Sequence, residues 1–165
     1  MPAPMQTMDE ILSEVASLLE EKKLRVATAE SCTGGLLGHM LTNVPGSSTY
    51  YEGGVVAYSN SLKTKLLGVS RATLERYGAV SAPTARQMAE GIRQVADVDI
   101  GLATTGIAGP GGGTPEKPVG LVYVALAAHT TEVREFRFPG DRGDNKLSTV
   151  REALQILREH VQQHD

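Results

Sequence analysis

Four polar residues, Glu30 to Thr33, stand at the boundary between two segments of different pattern. Residues 24–29 before them have the composition of a short buried strand, and the glycine-marked stretch 33–41 after them predicts a helix. Where a strand runs into a helix, unpaired backbone N–H groups and the positive end of the helix dipole lie at the junction. The pattern therefore predicts a nucleophile or an anion site there.

A serine with a lysine base is the chemistry that these residues supply best. Ser31 stands at the predicted helix start, where the N–H groups of Cys32, Thr33 or Gly34 could stabilise an oxyanion. Lys63 lies near the start of another predicted helix, whose dipole disfavours the ammonium form and helps to lower the lysine pKa. In isolation, however, helix capping is the commoner role for such a serine and a solvated charge for such a lysine.

Cys32 is the rival nucleophile, because a thiol at a helix N-terminus is acidified. It has no evident histidine partner, so a small buried residue is the stronger interpretation. It is also the only cysteine, which excludes an internal disulfide and a cysteine-rich metal site.

Other catalytic classes lack the residues that they need. None of the four histidines is beside a nucleophile in the sequence, and no histidine pairs with the cysteine at metal-ligand spacing. We therefore predict no metal and no cofactor. The glycine-rich segment 106–118 lacks the Lys-Ser/Thr ending of a phosphate-binding P-loop, and its prolines oppose the helix that such a loop opens. A flexible surface loop is an equally good interpretation.

Hydrophobic periodicity predicts helices alternating with strands. The predicted helices cover about 8–22, 33–41, a short segment after Ser59 that ends at Gly68, then 71–77, 83–96 and 144–162. The predicted strands cover 24–29, 50–58, 100–105, 119–128 and 132–138, and the last two form a hairpin. This order predicts a single α/β domain over 1–165, a three-layer α/β/α sandwich with a mixed parallel and antiparallel sheet.

Composition excludes several classes of function. The net charge of −3 is mild and no basic stripe is present, so nucleic acid is not predicted as the main partner. No apolar run approaches membrane-spanning length, so we predict no membrane association and a cytoplasmic protein.

Seven motifs in one order resemble the CinA C-terminal domain, the stand-alone nicotinamide mononucleotide deamidase family. They span about 15–157 and read TAESCTGG (28–35), GSSTYYEGGVVAYSN (46–60) followed by Lys63 and LLGV (66–69), GAVS (78–81), TGIAGP (105–110), EKPVG (116–120) and PGDR (139–142).

The resemblance implies an α/β/α fold, often dimeric, that hydrolyses the carboxamide of nicotinamide mononucleotide to nicotinate mononucleotide and ammonia without metal. It implies three catalytic residues. Ser31 would be the nucleophile and Lys63 its base, and the third would be Thr105, the hydroxyl residue at the start of the TGIAGP motif. It also implies a nucleotide-binding set, which we assign to Thr33, Gly34, Tyr58, Asn60, Gly106, Gly109, Gly111, Arg142 and Lys146.

The chain departs from the family pattern at two positions. Lys146 stands where the family often has arginine, and Ala82 stands where a glutamate commonly follows GAVS. Lysine keeps the charge but loses the bidentate fork that arginine offers a phosphate.

In the mechanism that we expect, Lys63 takes the Ser31 proton, Ser31 attacks the amide carbon, and Lys63 or Thr105 relays a proton to ammonia. Arg142, Lys146 or the N–H groups of the 109–113 loop would hold the phosphate. The alternatives are a non-catalytic nucleotide-binding or regulatory module and a hydrolase for a different small amide.

Overall fold

Six helices and five strands make up the computed structural model, which describes residues 5–163. The helices are α1 (Met8–Lys22), α2 (Leu36–Thr42), α3 (Asn60–Leu67), α4 (Arg71–Tyr77), α5 (Ala82–Ala96) and α6 (Arg142–Gln163). The strands are β1 (Val26–Glu30), β2 (Tyr51–Val56), β3 (Ile100–Gly106), β4 (Leu121–Ala127) and β5 (Thr131–Arg137). A short 3₁₀ turn at Ser47–Thr49, which the sequence did not predict, precedes β2.

The strands form one mixed sheet in the order β2-β1-β3-β4-β5. Strand β1 is parallel to both β2 and β3, whereas β4 is antiparallel to β3 and forms the predicted hairpin with β5. Because β1, β2 and β3 run in the same direction, their carboxyl ends meet at one edge of the sheet. Ligands bind outside such an edge in open α/β sheets.

Two cores of different character lie on the two faces of the sheet, and they confirm the three-layer prediction. On one face α1, α2 and α6 cover large side chains such as Val26, Leu102 and Val124. On the other face α3 and α5 cover alanines such as Ala27, Ala103 and Ala125. Small side chains on this second face let α5 approach the sheet closely.

Helix α2 begins three residues later than the sequence predicted. Gly34 and Gly35 have φ angles of +59° and +104°, which a right-handed helix does not contain. Residues 31–35 therefore form a turn, and Ser31 lies in that turn and not at the helix start. Helix α6, by contrast, begins two residues earlier than predicted, at Arg142.

The glycine pair in β2 marks the predicted irregularity of that strand. The pairing with β1 shifts register between Val26 and Ala27, as a β-bulge does. Gly54 also approaches β1 closely, because a Cβ at this position would lie 2.4 Å from Thr28 Oγ1. Among the residues that the structure describes, no helix is long and apolar enough to cross a membrane.

Replacing Gly91 in α5 by alanine should destabilise the fold. A Cβ there would lie 1.9 Å from the backbone oxygen of Leu67, which cannot move away as a flexible side chain would. Overpacking of this kind costs ~1–3 kcal/mol, and the better helix propensity of alanine offsets ~1 kcal/mol of it. We expect the free energy of unfolding, measured in urea, to fall by about 1–2 kcal/mol, the upper part of the remaining range, because the clash is with backbone.

Gly143→Ala in α6 is the matched control, because the Cβ would meet only Asp141 Oδ1 at an ordinary 3.6 Å. It should leave the urea midpoint unchanged or raise it. Equal urea midpoints for Gly91→Ala and Gly143→Ala would contradict the close contact of Gly91 in α5 with the Leu67 carbonyl in α3.

Candidate active site

Ser31 and Lys63, 32 positions apart in the sequence, meet at the carboxyl edge of the parallel strands. Lys63 Nζ lies 2.9 Å from Ser31 Oγ, and both residues are buried, with 1% of Lys63 and 7% of Ser31 exposed. Ser31 continues the pairing of β1, since its N–H donates to the carbonyl of Thr104 at 3.0 Å. The nucleophile and base predicted from the sequence are therefore within hydrogen-bond distance.

Two backbone carbonyls complete the surroundings of the lysine amine. Lys63 Nζ donates to the oxygens of Ala57 at 3.0 Å and Tyr58 at 2.9 Å. Both carbonyls belong to the connection after β2, which turns into α3 where Ser59 caps the helix by accepting from Leu62 N. Carbonyls can only accept, so they fix two amine hydrogens in place. The third tetrahedral position of the nitrogen then faces Ser31 Oγ.

Burial lowers the pKa of Lys63 below its ordinary value of 10.5, because the interior disfavours the charged ammonium. The nearby Cys32 acts in the opposite direction and is the smaller influence. From the sequence, we attributed a lowered lysine pKa to the dipole of the helix that carries it. In the structure, desolvation by burial is the main cause.

Cys32 is buried beside Ser31 and is not activated. Burial raises the pKa of its thiol to about 12, although its own backbone and Thr104 oppose the shift by hydrogen bonding. At neutral pH the sulfur therefore stays protonated, and a protonated thiol is a poor nucleophile. This favours Ser31 over its neighbour.

The turn that carries Ser31 offers oxyanion donors, but fewer than the sequence predicted. The N–H of Gly34 already donates to the carbonyl of Ser31 at 3.1 Å. Within residues 5–163 the N–H groups of Cys32 and Thr33 make no backbone hydrogen bond. Of the three predicted donors, these two have no backbone acceptor in the described part of the chain.

A pocket of about 180 Å³ opens onto the serine and lysine. Its lining joins the ends of several elements, and it consists of Ser31, Cys32, Tyr58, Lys63, Ala79, Val80, Thr105, Gly106, Ala108 and Arg142. Thr105, at the end of β3, donates its hydroxyl hydrogen to the carbonyl of Ala79 at 2.8 Å. The Thr105 oxygen therefore presents only lone pairs to any further partner.

Arg142 and Tyr58 line the mouth of this pocket. Arg142 Nη1 donates to the carbonyl of Gly109 at 2.7 Å, and Nη2 lies 3.4 Å from the hydroxyl of Tyr58. Both side chains are largely exposed, so solvent or a ligand can reach them.

Comparison with known proteins identifies the family. The sequence profile of the CinA C-terminal domain matches residues 8–161. The chain belongs to that family. A CinA-like protein of Thermosynechococcus vestitus is 54% identical over 158 residues, which are 93% of this chain and 38% of that protein. The chain thus spans well under half the length of the curated relatives that it matches.

Solved structures of the CinA superfamily have the same fold. The competence damage-inducible protein A of Klebsiella pneumoniae superposes with a TM-score of 0.94 at 35% identity, covering 97% of this chain and 100% of that one. The competence/damage inducible protein CihA of Agrobacterium tumefaciens gives 0.89 at 42% identity, covering 95% and 97%.

Several residues assigned from the CinA resemblance lie outside the pocket lining. Asn60 is exposed at the first position of α3 and lines a separate hollow. The hydroxyl of Thr33 donates to Glu30 at 2.6 Å and contacts Thr104 at 2.7 Å. Gly111 is exposed in the loop that follows TGIAGP.

Lys146 and Gly34 are close to each other near the pocket. A Cβ on Gly34 would lie 3.7 Å from the Lys146 ammonium nitrogen, and neither residue is part of the lining. Lys146 lies on α6 four residues after Arg142. Residues at this spacing lie on the same side of a helix, so the two cationic side chains are neighbours.

The sequence analysis did not identify several other residues that form or support the pocket. Ala79, Val80 and Ala108 form walls of the pocket; they lie within the GAVS and TGIAGP motifs, but their apolar side chains have no chemistry that marks them as site residues. Asn145 is 1% exposed, and its amide donates to the carbonyls of Ala108 and Gly140, both at 3.0 Å. It ties the two loops that hold Arg142. The sequence signal that could have identified Asn145 is its position four residues before Thr149, on the face of α6 that is buried.

A larger hollow of about 790 Å³ lies between α5 and the β4–β5 turn. There the Thr131 hydroxyl donates to Glu90 and Arg86 donates to the Thr131 carbonyl, so these polar groups pair with one another. We place the candidate active site in the smaller pocket because it contains the serine and lysine pair. Within the described part of the chain, no group of three or more His, Cys, Asp or Glu could hold a metal ion.

Cys32 should react slowly with alkylating reagents in the folded protein. Its burial and a pKa of about 12 leave roughly one thiol in ten thousand ionised at pH 8. Treated with iodoacetamide and followed by mass spectrometry, the native protein should be alkylated at least about 100-fold more slowly than the same protein in urea. Equal rates would mean that the thiol is accessible and activated.

Proposed function

We propose that this chain hydrolyses the carboxamide of nicotinamide mononucleotide to nicotinate mononucleotide and ammonia, with Ser31 as nucleophile and Lys63 as base. The observation that supports it most directly is the buried amine 2.9 Å from the serine oxygen. Membership of the CinA C-terminal domain family agrees with this activity, although the names of the relatives do not state it.

Lys63 begins the reaction as a neutral amine. With two hydrogens on the carbonyls of Ala57 and Tyr58, its lone pair points to Ser31 and accepts the hydroxyl proton. The serine oxygen bonds to the amide carbon, and the C–N bond breaks as the ammonium of Lys63 returns the proton to the departing nitrogen. Water then attacks the acyl-enzyme with Lys63 again as base, releasing the carboxylic acid and Ser31.

The tetrahedral intermediate needs hydrogen-bond donors for its oxyanion. The N–H groups of Cys32 and Thr33 follow the nucleophile directly, and no backbone acceptor within the described residues engages them. Donors of this kind are each worth roughly 10²–10³ in turnover.

Thr105 suits a primary amide as the substrate group. Because its hydrogen is bound to Ala79, the oxygen can accept from an –NH₂ group and has no hydrogen left for an ester or carboxylate oxygen. The same bond favours Lys63 over Thr105 as the group that protonates the departing nitrogen. Thr105 would first have to break its hydrogen bond to the carbonyl of Ala79.

The size of the pocket limits what enters it. At about 180 Å³ it is smaller than the roughly 300–1,000 Å³ of pockets that enclose drug-sized ligands. We expect only the carboxamide and its ring to enter this pocket, with the rest of the nucleotide extending past the mouth. An adjoining hollow shares Ala108 and Arg142 with the pocket and continues along the start of α6. The guanidinium of Arg142 lines both hollows and would pair with a phosphate there, with Lys146 as the next cation.

Removal of the nucleophile or the base should abolish turnover. Ser31→Ala and Lys63→Met should each lower kcat for ammonia release from nicotinamide mononucleotide by at least about 10²-fold, because the proton transfer and the covalent step are lost. Calorimetry should still detect nucleotide binding to Ser31→Ala.

Ser61→Ala and Lys65→Met are matched controls, since both residues are exposed on α3 outside the pocket. They should retain wild-type turnover. Saturable binding without ammonia release by the wild type would instead support a non-catalytic nucleotide-binding role.

The pH profile should report the buried lysine. Since burial lowers the pKa of Lys63, the neutral amine forms at lower pH than in a free lysine. We expect kcat/KM to rise with pH across the neutral and alkaline range and to level off with a midpoint below 10.5. Lys63→Arg, which stays protonated, should show no rising limb. A wild-type rate independent of pH over this range would rule out Lys63 as the base.

A further inference from the structure

We propose that Glu30 is a positioning residue for Ser31, which it fixes by accepting hydrogen bonds from the turn and helix that follow. This inference rests on the proposed function, because it takes Ser31 as the nucleophile. Glu30 ends β1 immediately before Ser31 and is 2% exposed.

The carboxylate of Glu30 accepts four hydrogen bonds. Its Oε1 accepts from Thr33 Oγ1 at 2.6 Å, from Leu37 N at 2.8 Å and from Gly35 N at 3.2 Å. Its Oε2 accepts from Gly38 N at 3.0 Å. All four partners donate, which is the pattern that an ionised carboxylate satisfies. Glu30 thereby occupies the unpaired N–H groups at the start of α2.

This network reaches the neighbouring strand. The hydroxyl of Thr33 gives its hydrogen to Glu30, so the hydrogen in its 2.7 Å contact with Thr104 comes from Thr104 on β3. The backbone of Glu30 is fixed as well, because its carbonyl accepts from Ala57 N at 2.9 Å. The side chain and main chain together tie the Ser31 turn to β2, β3 and α2.

The Glu30 carboxylate adds to a small set of backbone hydrogen bonds in this turn. Gly34 and Gly35 both have positive φ angles, and backbone bonds run from Ser31 N to Thr104 O, from Gly34 N to Ser31 O, from Leu36 N to Thr33 O and from His39 N to Gly35 O. Loss of the carboxylate would leave three backbone donors and the Thr33 hydroxyl without their acceptor. The turn would relax and Ser31 Oγ would move from Lys63, where a displacement of about 1 Å can cost roughly 10²-fold in rate.

Glu30→Gln is the first test, because glutamine has the same shape but presents an –NH₂ group where Glu30 has one of its two accepting oxygens. We expect kcat to fall at least about 10-fold with KM within about threefold of wild type. The pH midpoint should not move, since the burial of Lys63 and its carbonyl partners are unchanged.

A fluorophosphonate probe measures the position of Ser31 without the nucleotide. In this reaction the serine oxygen bonds to phosphorus, fluoride leaves and the serine proton passes to Lys63. Labelling of Glu30→Gln should slow by the same factor as kcat. A wild-type protein that is labelled at Ser31 but releases no ammonia would reject the proposed substrate, and the labelling rates would still decide the role of Glu30.

Thr7→Ala is the control for stability alone, because Thr7 caps α1 by accepting from Glu10 N, away from the pocket. It should lower the unfolding midpoint and leave labelling unchanged. If Glu30→Gln does not fold, Thr33→Val removes one donor to the carboxylate and should slow labelling by about threefold. Wild-type labelling in the folded Glu30→Gln variant, or in Thr33→Val if the first fails to fold, would overturn the proposal, as would a raised KM with unchanged kcat.

Discussion

The burial of the Lys63 amine is the constraint around which the carboxyl edge of the sheet is arranged. A lysine that is 1% exposed loses its hydration, and only local oxygen atoms can replace it. Strand β2 ends at Val56, and the two carbonyls that follow turn inward to accept from the amine. Since the same carbonyls leave only one direction on the nitrogen unassigned, the arrangement that satisfies the lysine also aims it at Ser31. The hydrogen bonds that hold the buried amine are thus also the basis of its proposed role as a base.

Two buried polar side chains, Lys63 and Glu30, lie in complementary surroundings beside Ser31, which we propose as the nucleophile. The Lys63 amine is surrounded by oxygen acceptors, and the Glu30 carboxylate accepts from N–H and O–H donors. Each group therefore has local hydrogen-bond partners, as buried polar groups require. At the Cys32 thiol, burial outweighs the hydrogen bonds that favour a negative charge, so the thiol stays protonated. This contrast is the reason for proposing Ser31, and not Cys32, as the nucleophile.

Periodicity and residue type were enough to predict the architecture. The alternation of helical and strand patterns gave all six helices, all five strands and the hairpin, because amphipathic spacing reflects which face of each element is buried. The boundaries were less accurate where polar groups decide them. Helix α2 begins after two glycines with positive φ, and the 3₁₀ turn at Ser47–Thr49 had no periodic signal. Asn145 was missed because its partners are backbone carbonyls, one of Gly140 just before α6 and one of Ala108 in a loop distant in the sequence.

By itself, the sequence determined the fold class, the motif order of the CinA C-terminal domain and the residue types for serine and lysine chemistry. These follow from local spacing and composition, which are properties of short segments. Only the tertiary structure decided that Ser31 and Lys63 are in contact, that desolvation lowers the lysine pKa, and that Asn60 faces a different hollow from Arg142. The physical reason is that burial and hydrogen-bond direction depend on atoms brought together from separate strands, and no single segment of the sequence contains them.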